Sequence, residues 1–201
     1  MKHDKTNDST TRRAWIPAAI ALCLVAGCNG GLHHKGEQRF SVIGSYGEPF
    51  NESFVWKGGD GSGQEAALTL GYDYFLEDRL ALIGTVTPYR IYNQSDGDTY
   101  AGEIQLGLRY YIWEFELFST PGAVYGEMLG GVTYGSRSIP EEGSSFDFTQ
   151  DTGLGMEMQI SDDVSWFTGY RLKHLSNGNF FNDDNPAQNE HFVYLGVAFS
   201  W

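Results

Sequence analysis

A strict alternation of apolar and polar residues over unusually long segments is the feature that most constrains how this chain can fold. In residues 99–113 the apolar positions are Tyr100, Ile104, Leu106, Leu108, Tyr110 and Ile112, and their polar neighbours include Glu103, Gln105 and Arg109. Residues 65–76 and 145–160 follow the same rule. A period of two places successive side chains on opposite faces of a β-strand. The segments are longer than the roughly five or six residues of an ordinary globular strand, so the sequence predicts long strands with one apolar face.

Eight alternating segments are predicted, and their connections differ in length. The segments are 38–46, 65–76, 79–91, 99–113, 121–135, 145–160, 163–175 and 190–201. Tight turns are expected at 76–78 and 161–163, whereas 47–64, 92–98, 136–144 and 176–189 are longer, polar connections rich in Gly, Asn and Asp. An even number of long strands joined by short turns and long loops is typical of outer-membrane barrels. We therefore expect an all-β fold, an eight-stranded antiparallel transmembrane β-barrel over residues 38–201, in the bacterial outer membrane.

Alternation alone does not show which face of the barrel points outward. A water-soluble barrel of the lipocalin type would carry its apolar face inside. Aromatic residues make up 15% of the chain, and the last strand ends in an aromatic residue, Trp201. Both features favour the membrane barrel, whose interior should hold a set of charged residues. That set is Asp73, Glu103, Arg109, Glu127, Asp147, Asp151, Glu157 and Arg171.

The first 27 residues have the pattern of an export signal. A polar start with Lys and Arg precedes an apolar stretch that ends in small residues before Cys28, as secretory signals do. We predict a signal peptide over 1–27 of the lipoprotein type, with Cys28 as a lipidated first mature residue. Ordinary cleavage between residues 27 and 36 is the alternative. Residues 28–37 are expected to form a flexible tether.

The charge of the chain excludes one large class of function. The formal net charge is −13 at pH 7, which is unfavourable for binding the phosphates of nucleic acid. We expect no nucleic-acid partner. No metal site and no cofactor are implied, because Cys23 and Cys28 lie in or at the edge of the export signal and the adjacent His33 and His34 point to different faces.

His174 and Ser176 form the candidate catalytic pair. Two residues apart on one strand, they share a face, and that face also carries Tyr170, whereas Arg171 and Lys173 point inward. An ionisable side chain facing lipid is costly and is commonly functional. An imidazole beside a hydroxyl can activate that hydroxyl as a nucleophile. The alternative is that His174 merely marks the end of a strand at the lipid headgroups.

The segment from His174 to Asn177, near the end of an eight-stranded pattern, resembles the lipid A 3-O-deacylase (PagL) family. The resemblance implies a Ser-His-Glu triad on the outer face of the barrel that hydrolyses the acyl ester at position 3 of lipid A. It makes His174 the general base, Ser176 the nucleophile and Asn177 a supporting residue. By the same resemblance Asn185 contributes to the oxyanion hole, where donors stabilise the tetrahedral intermediate.

The residue that orients His174 is the point at which this chain departs from the family. An ungapped match from Asn185 places Asn189, and not Glu190, at the position of the family's Glu. The alternation also points Asn189 outward and Glu190 inward. A β-bulge at the start of the last strand could turn Glu190 outward, and we favour this hypothesis. Asn189 as the orienting residue, and an inactive barrel without one, remain open.

The function predicted from the sequence is therefore a serine esterase of the outer membrane. Its expected partners are lipid A, as part of lipopolysaccharide in the outer leaflet, and outer-membrane lipid. The alternative is a small non-enzymatic outer-membrane barrel with a structural or adhesive role. The sequence leaves a monomer and a homodimer both open, and it does not define the preferred acyl chain.

Overall fold

The computed structural model describes residues 31–51, 56, 58–180 and 186–201 and forms a closed barrel of eight antiparallel strands. The strands are β1 (Gln38–Pro49), β2 (Gln64–Glu77), β3 (Leu80–Tyr92), β4 (Thr99–Leu117), β5 (Thr120–Ile139), β6 (Ser144–Ser161), β7 (Val164–Ser176) and β8 (Ala187–Ser200). Each strand pairs with its sequence neighbours, and β8 closes the barrel by pairing with β1. The predicted fold is confirmed. The predicted signal peptide, Cys28 and Asn185 lie outside the described residues.

Several strands are longer than the sequence predicts, and this changes where the turns lie and where β8 begins. β4 and β5 have 19 and 20 residues and meet at a two-residue turn. Its residues Phe118 and Ser119 both have positive φ angles of 51° and 62°, as a type I′ hairpin turn requires. β8 begins at Ala187 rather than at residue 190, so Asn189 and Glu190 both belong to the regular part of the strand.

The two faces of the barrel lie as the alternation predicts. Leu68 and Leu106 are 53% and 66% exposed. The eight charged residues predicted for the interior are all buried. This assignment contradicts the soluble-barrel alternative, since the exposed belt is apolar and suits lipid. Among residues 31–51, 56, 58–180 and 186–201, no helix is long and apolar enough to cross a membrane.

Ion pairs fill the interior of the barrel. Arg39 donates to Asp73 Oδ2 at 2.8 Å and to Glu157 Oε1 at 2.5 Å, and Arg109 contacts Asp73 and Glu127, each at 3.0 Å. Further pairs are Arg171 with Glu127, and Lys173 with Glu65 and Glu103. Pairing of this kind offsets the cost of taking charges out of water.

Replacing Arg39 by methionine is expected to destabilise the barrel strongly. Arg39 is fully buried between Asp73 and Glu157. Removing its guanidinium leaves two buried carboxylates with less positive charge beside them. We expect the free energy of unfolding in urea, measured in lipid vesicles, to fall by about 3–5 kcal/mol. The control is Arg79→Met, which removes a half-exposed contact of 3.6 Å to Glu114 and should cost at most about 1 kcal/mol. Equal losses in the two variants would contradict a structural role for the interior ion pairs.

The described part of the predicted tether, residues 31–37, is not free but packs into the turn end of the barrel. His33 is 5% exposed, stacks on Phe75 with ring centroids 4.2 Å apart, and lies 3.0 Å from Glu37 Oε1 and 3.3 Å from Glu157 Oε1. Burial lowers the pKa of His33, but hydrogen bonds to Glu157 and Glu37 outweigh burial and raise it above its usual value. The prediction of a flexible tether is wrong for these residues, because their polar side chains complete the interior network.

The two ends of the barrel differ in what they present. Tight turns at 78–79, 118–119 and 162–163 share one end with residues 31–37. β1 ends and β8 begins at the opposite end, where the described residues 50, 51, 58–63 and 177–180 lie. This is also the end of β7 that carries His174 and Ser176.

Candidate active site

The pairing of β7 with β8 sets the position of the candidate site. His174 lies opposite Asn189 and Ser176 lies opposite Ala187, in a register without irregularity. His174 and Ser176 are both half-buried, whereas the intervening Leu175 is fully buried in the interior. The predicted orientation of the pair, towards the lipid-facing side at the loop end of the barrel, agrees with the structure.

One chain of hydrogen bonds joins Asn189, His174 and Ser176. His174 Nδ1 is 2.6 Å from Asn189 Oδ1, and His174 Nε2 is 3.1 Å from Ser176 Oγ. A carbonyl oxygen can only accept a hydrogen bond, so Nδ1–H must donate to Asn189. Nε2 is then left with a lone pair that accepts from the Ser176 hydroxyl. This is the tautomer that a general base needs in order to take a proton from a serine.

Glu190 does not take part in this chain. Its side chain is fully buried inside the barrel, where its Oε1 accepts a hydrogen bond from Gln188, and its backbone lies opposite Lys173. The bulge predicted for the start of β8 is absent from the register of β8 with both neighbours. Among the described residues no hydrogen bond joins Glu190 to His174. The favoured placement of Glu190 beside His174 is therefore corrected, because strand parity points it inward and Asn189 outward.

Asn189 is held tightly in its place. Its side chain is 1% exposed, and its backbone oxygen accepts a hydrogen bond of 2.9 Å from Phe50 N. A Cβ at Gly59 would lie 3.0 Å from Asn189 Nδ2 and 2.3 Å from the Phe50 oxygen, so only glycine allows this approach. Within the described residues Asn189 Nδ2 has no hydrogen-bond partner. A buried donor without a partner costs stability, and a carboxylate at this position would not carry one.

Comparison with known families shows which family the chain belongs to. The family model described as lipid A 3-O-deacylase (PagL) matches residues 45–198, which is more than half of the chain. The chain belongs to the lipid A 3-O-deacylase (PagL) family. The match spans nearly the whole barrel and includes all three residues of the hydrogen-bonded chain.

Solved structures support the same fold for this PagL-family protein. The crystal structure of the outer membrane enzyme PagL superposes with a TM-score of 0.52 at 18% identity, over 78% of this chain and 97% of that one. The outer membrane protein OprG from Pseudomonas aeruginosa superposes with a TM-score of 0.52 at 13% identity, over 86% and 98%. No curated protein sequence matches significantly. The protein is thus a bacterial outer-membrane barrel.

Two further residues follow from the PagL resemblance. Asn177 is fully buried, and its Oδ1 accepts a hydrogen bond of 2.8 Å from the backbone N of Asn179. It thereby holds the turn that follows Ser176, in which Gly178 and Asn179 have positive φ angles of 63° and 61°. A supporting role for Asn177 fits this contact. Asn185 lies outside the described residues, so its place in the oxyanion hole stays a prediction.

Trp56 also lies beside His174, although no sequence pattern indicates it. Its indole stacks on the imidazole of His174, with ring centroids 5.5 Å apart and an interplanar angle of 10°. Trp56 belongs to the polar connection between β1 and β2, where no periodicity indicates its orientation. A single Trp in a loop rich in Gly was the available signal.

The described residues around the PagL-family site offer no cluster of metal-ligating side chains. In the part of the chain that the structure describes, no group of three or more His, Cys, Asp or Glu side chains could hold a metal ion. His191, on the same face of β8, lies beside the hydroxyl of Tyr170 and the ring of Phe50. The chemistry available at the site is that of a serine activated by a histidine.

Proposed function

We propose that this protein is a lipid A deacylase that hydrolyses the 3-O-linked acyl chain of lipid A in the outer leaflet. The observation that supports the proposal is the chain of hydrogen bonds from Asn189 through His174 to Ser176 on the lipid-facing surface. This location suits a lipid substrate, because the ester lies at the boundary between the headgroups and the acyl chains.

The geometry supports acyl transfer in two steps. His174 Nε2 takes the proton of Ser176 as Oγ attacks the ester carbonyl carbon, and the imidazolium then gives that proton to the departing 3-oxygen of the sugar. A water activated by the same imidazole cleaves the acyl-enzyme. The products are a free fatty acid and a lipid A with a free 3-hydroxyl. The chemistry requires no metal ion and no cofactor, and Asn185 is the proposed oxyanion donor.

The surface below the triad suits the acyl chain of such a substrate. Tyr170, Val193 and Leu195 lie on the same side of β7 and β8 as His174 and are 43%, 57% and 60% exposed. Val193 and Leu195 pair with Tyr46 and Gly44 of β1, and together these residues line a shallow groove on the outer surface. An acyl chain in this groove would run down the barrel from an ester at Ser176.

A non-enzymatic barrel is the second candidate. OprG, an outer membrane protein that is not named as an enzyme, shares the fold at the same TM-score as PagL. The fold is therefore compatible with a structural or adhesive role that depends on the loops. The two candidates differ in their dependence on the hydrogen-bonded chain, which only the enzyme requires.

Mass spectrometry of lipid A is the direct test. Lipid A from cells that produce the protein is expected to contain a species lighter by one 3-hydroxyacyl chain, and tandem spectra should locate the loss at position 3. Cells that carry His174→Ala at equal barrel abundance are the control and should show the unmodified spectrum. An unmodified spectrum with the wild-type barrel, folded and present in the outer membrane, would refute the proposed activity.

A further inference from the structure

The imidazole of His174 has neighbours on three sides, and one of them is aromatic. Its two nitrogens contact Asn189 and Ser176, and one face of the ring lies parallel to the indole of Trp56 at 5.5 Å. We propose that Trp56 is a positioning residue that holds His174 and stabilises its imidazolium form, and so partly replaces the carboxylate that this triad lacks. The inference rests on the proposed function.

Catalysis by His174 creates a positive charge in an unfavourable place. When Nε2 takes the serine proton, the charged ring lies at the edge of a low-dielectric lipid phase, where an unpaired charge is costly. Asn189 accepts a hydrogen bond from Nδ1 but carries no negative charge. The carboxylates of Glu190, Glu65 and Glu103 are buried inside the barrel, together with the ammonium of Lys173, and Lys173 and Glu190 project to the face opposite His174.

The face of an indole can stabilise a cation that lies over it. The negative face of the π-system attracts a cation within about 6 Å of the ring centroid, and Trp does this best among the aromatic residues. The centroid distance of 5.5 Å and the interplanar angle of 10° between Trp56 and His174 meet this condition. The contact strengthens when the ring becomes charged, so it lowers the energy of the transition state more than that of the ground state.

The loop that carries Trp56 is fixed to the strand that carries Asn189. On one side of Trp56, Phe50 N donates to the oxygen of Asn189 at 2.9 Å. On the other side, Asp60 N donates to the oxygen of Ala187 at 2.7 Å, and Gly59 forms a bridge with Ala187. The same start of β8 thus positions the amide that orients His174 and the indole that covers it.

Two substitutions at Trp56 separate the aromatic face from apolar bulk. Trp56→Phe keeps a ring over His174, whereas Trp56→Leu keeps only apolar volume. With the purified full-length barrel in detergent and lipid A as substrate, we expect Trp56→Leu to lower kcat by roughly 3- to 30-fold with little change in KM. Trp56→Phe should retain most of the activity. A raised KM with unchanged kcat, or equal losses in both variants, would overturn the inference.

Coupling to Asn189 tests the electrostatic part of the proposal. In an Asn189→Asp background a carboxylate balances the imidazolium, so the loss of kcat caused by Trp56→Leu should shrink to less than about twofold, as expected for coupled residues. The same loss in both backgrounds would contradict the proposed compensation. Inactivity of the wild-type protein would count against the proposed function, whereas an active wild type with an equally active Trp56→Leu variant would count against Trp56 alone.

A measurement independent of activity tests the stacking. In the NMR spectrum of the full-length barrel with labelled histidine, the ring proton signal of His174 is assigned by its loss in His174→Ala. We expect Trp56→Leu to shift this signal, because the ring current of the indole acts on the protons of an imidazole stacked 5.5 Å from it. A signal that does not move in Trp56→Leu would overturn the placement of Trp56 whether or not the barrel is active.

Discussion

Substitution of Ser176 by alanine is expected to lower the rate of lipid A deacylation by roughly 10⁴- to 10⁶-fold, because the variant retains the base but has no nucleophile at the site. Ser176 Oγ is the group that His174 Nε2 faces at 3.1 Å. The measurement is the rate of fatty-acid release from lipid A by the purified barrel.

The barrel itself should be unaffected by this substitution. Ser176 is the last residue of β7 and is half-buried on the outer face, so the loss of one hydroxyl changes little of the packing. Heat-modifiable migration on gels should match that of the wild type. Ser161→Ala is the control, since Ser161 is an exposed residue at the opposite end of the barrel. Deacylation that persists in Ser176→Ala would remove Ser176 from the mechanism.

Substitutions at Asn189 and Glu190 are expected to have very different effects. Asn189→Ala removes the acceptor at 2.6 Å from His174 Nδ1, so the ring loses both its orientation and its tautomer. We expect the rate to fall by roughly 10²- to 10⁴-fold. Glu190→Gln is the matched control on the neighbouring residue. It should change the rate by less than about threefold, because Glu190 lies in the barrel interior, whereas the nucleophile and the base lie on the outer face.

Asn189→Asp is expected to raise the rate, whereas Asn189→Ala should lower it. The carboxylate of aspartate has nearly the same shape as the amide, keeps the acceptor and removes the unpaired Nδ2 donor. We expect the rate to rise by about tenfold or more, because an anion stabilises the imidazolium better than an amide does. A large loss in Glu190→Gln with wild-type rates in Asn189→Ala would show that Glu190 turns outward in the working enzyme.

Strand parity was the most informative part of the sequence. It placed the charged set inside the barrel and the candidate pair outside, and the structure agrees in both respects. It also assigned Asn189 to the outer face, whereas the family resemblance favoured a carboxylate from Glu190. The structure follows parity at this position, because β8 runs without a bulge through both residues.

Contacts made by segments without periodicity could not be predicted. Residues 31–37 contain no alternation, and their burial depends on cavities and charges that exist only once the barrel has closed. The stacking of Trp56 on His174 depends in the same way on hydrogen bonds between the β1–β2 connection and β8. Side chains in such segments are oriented by tertiary contacts, which local sequence patterns do not encode.

The closure of the barrel between β1 and β8 also has a consequence for when the enzyme becomes active. Ser176 and His174 lie on β7, but Asn189 lies on β8, the last strand to be synthesised, and Trp56 lies near the other side of the seam. A chain still in transit through the periplasm would carry the nucleophile and the base without their partners. Because β7 and β8 pair with each other, Asn189 can reach His174 before closure, whereas the loop that carries Trp56 is placed only when β1 pairs with β8. Ester cleavage should therefore reach its full rate only once the barrel has closed, and the rise in fatty-acid release would report that final step.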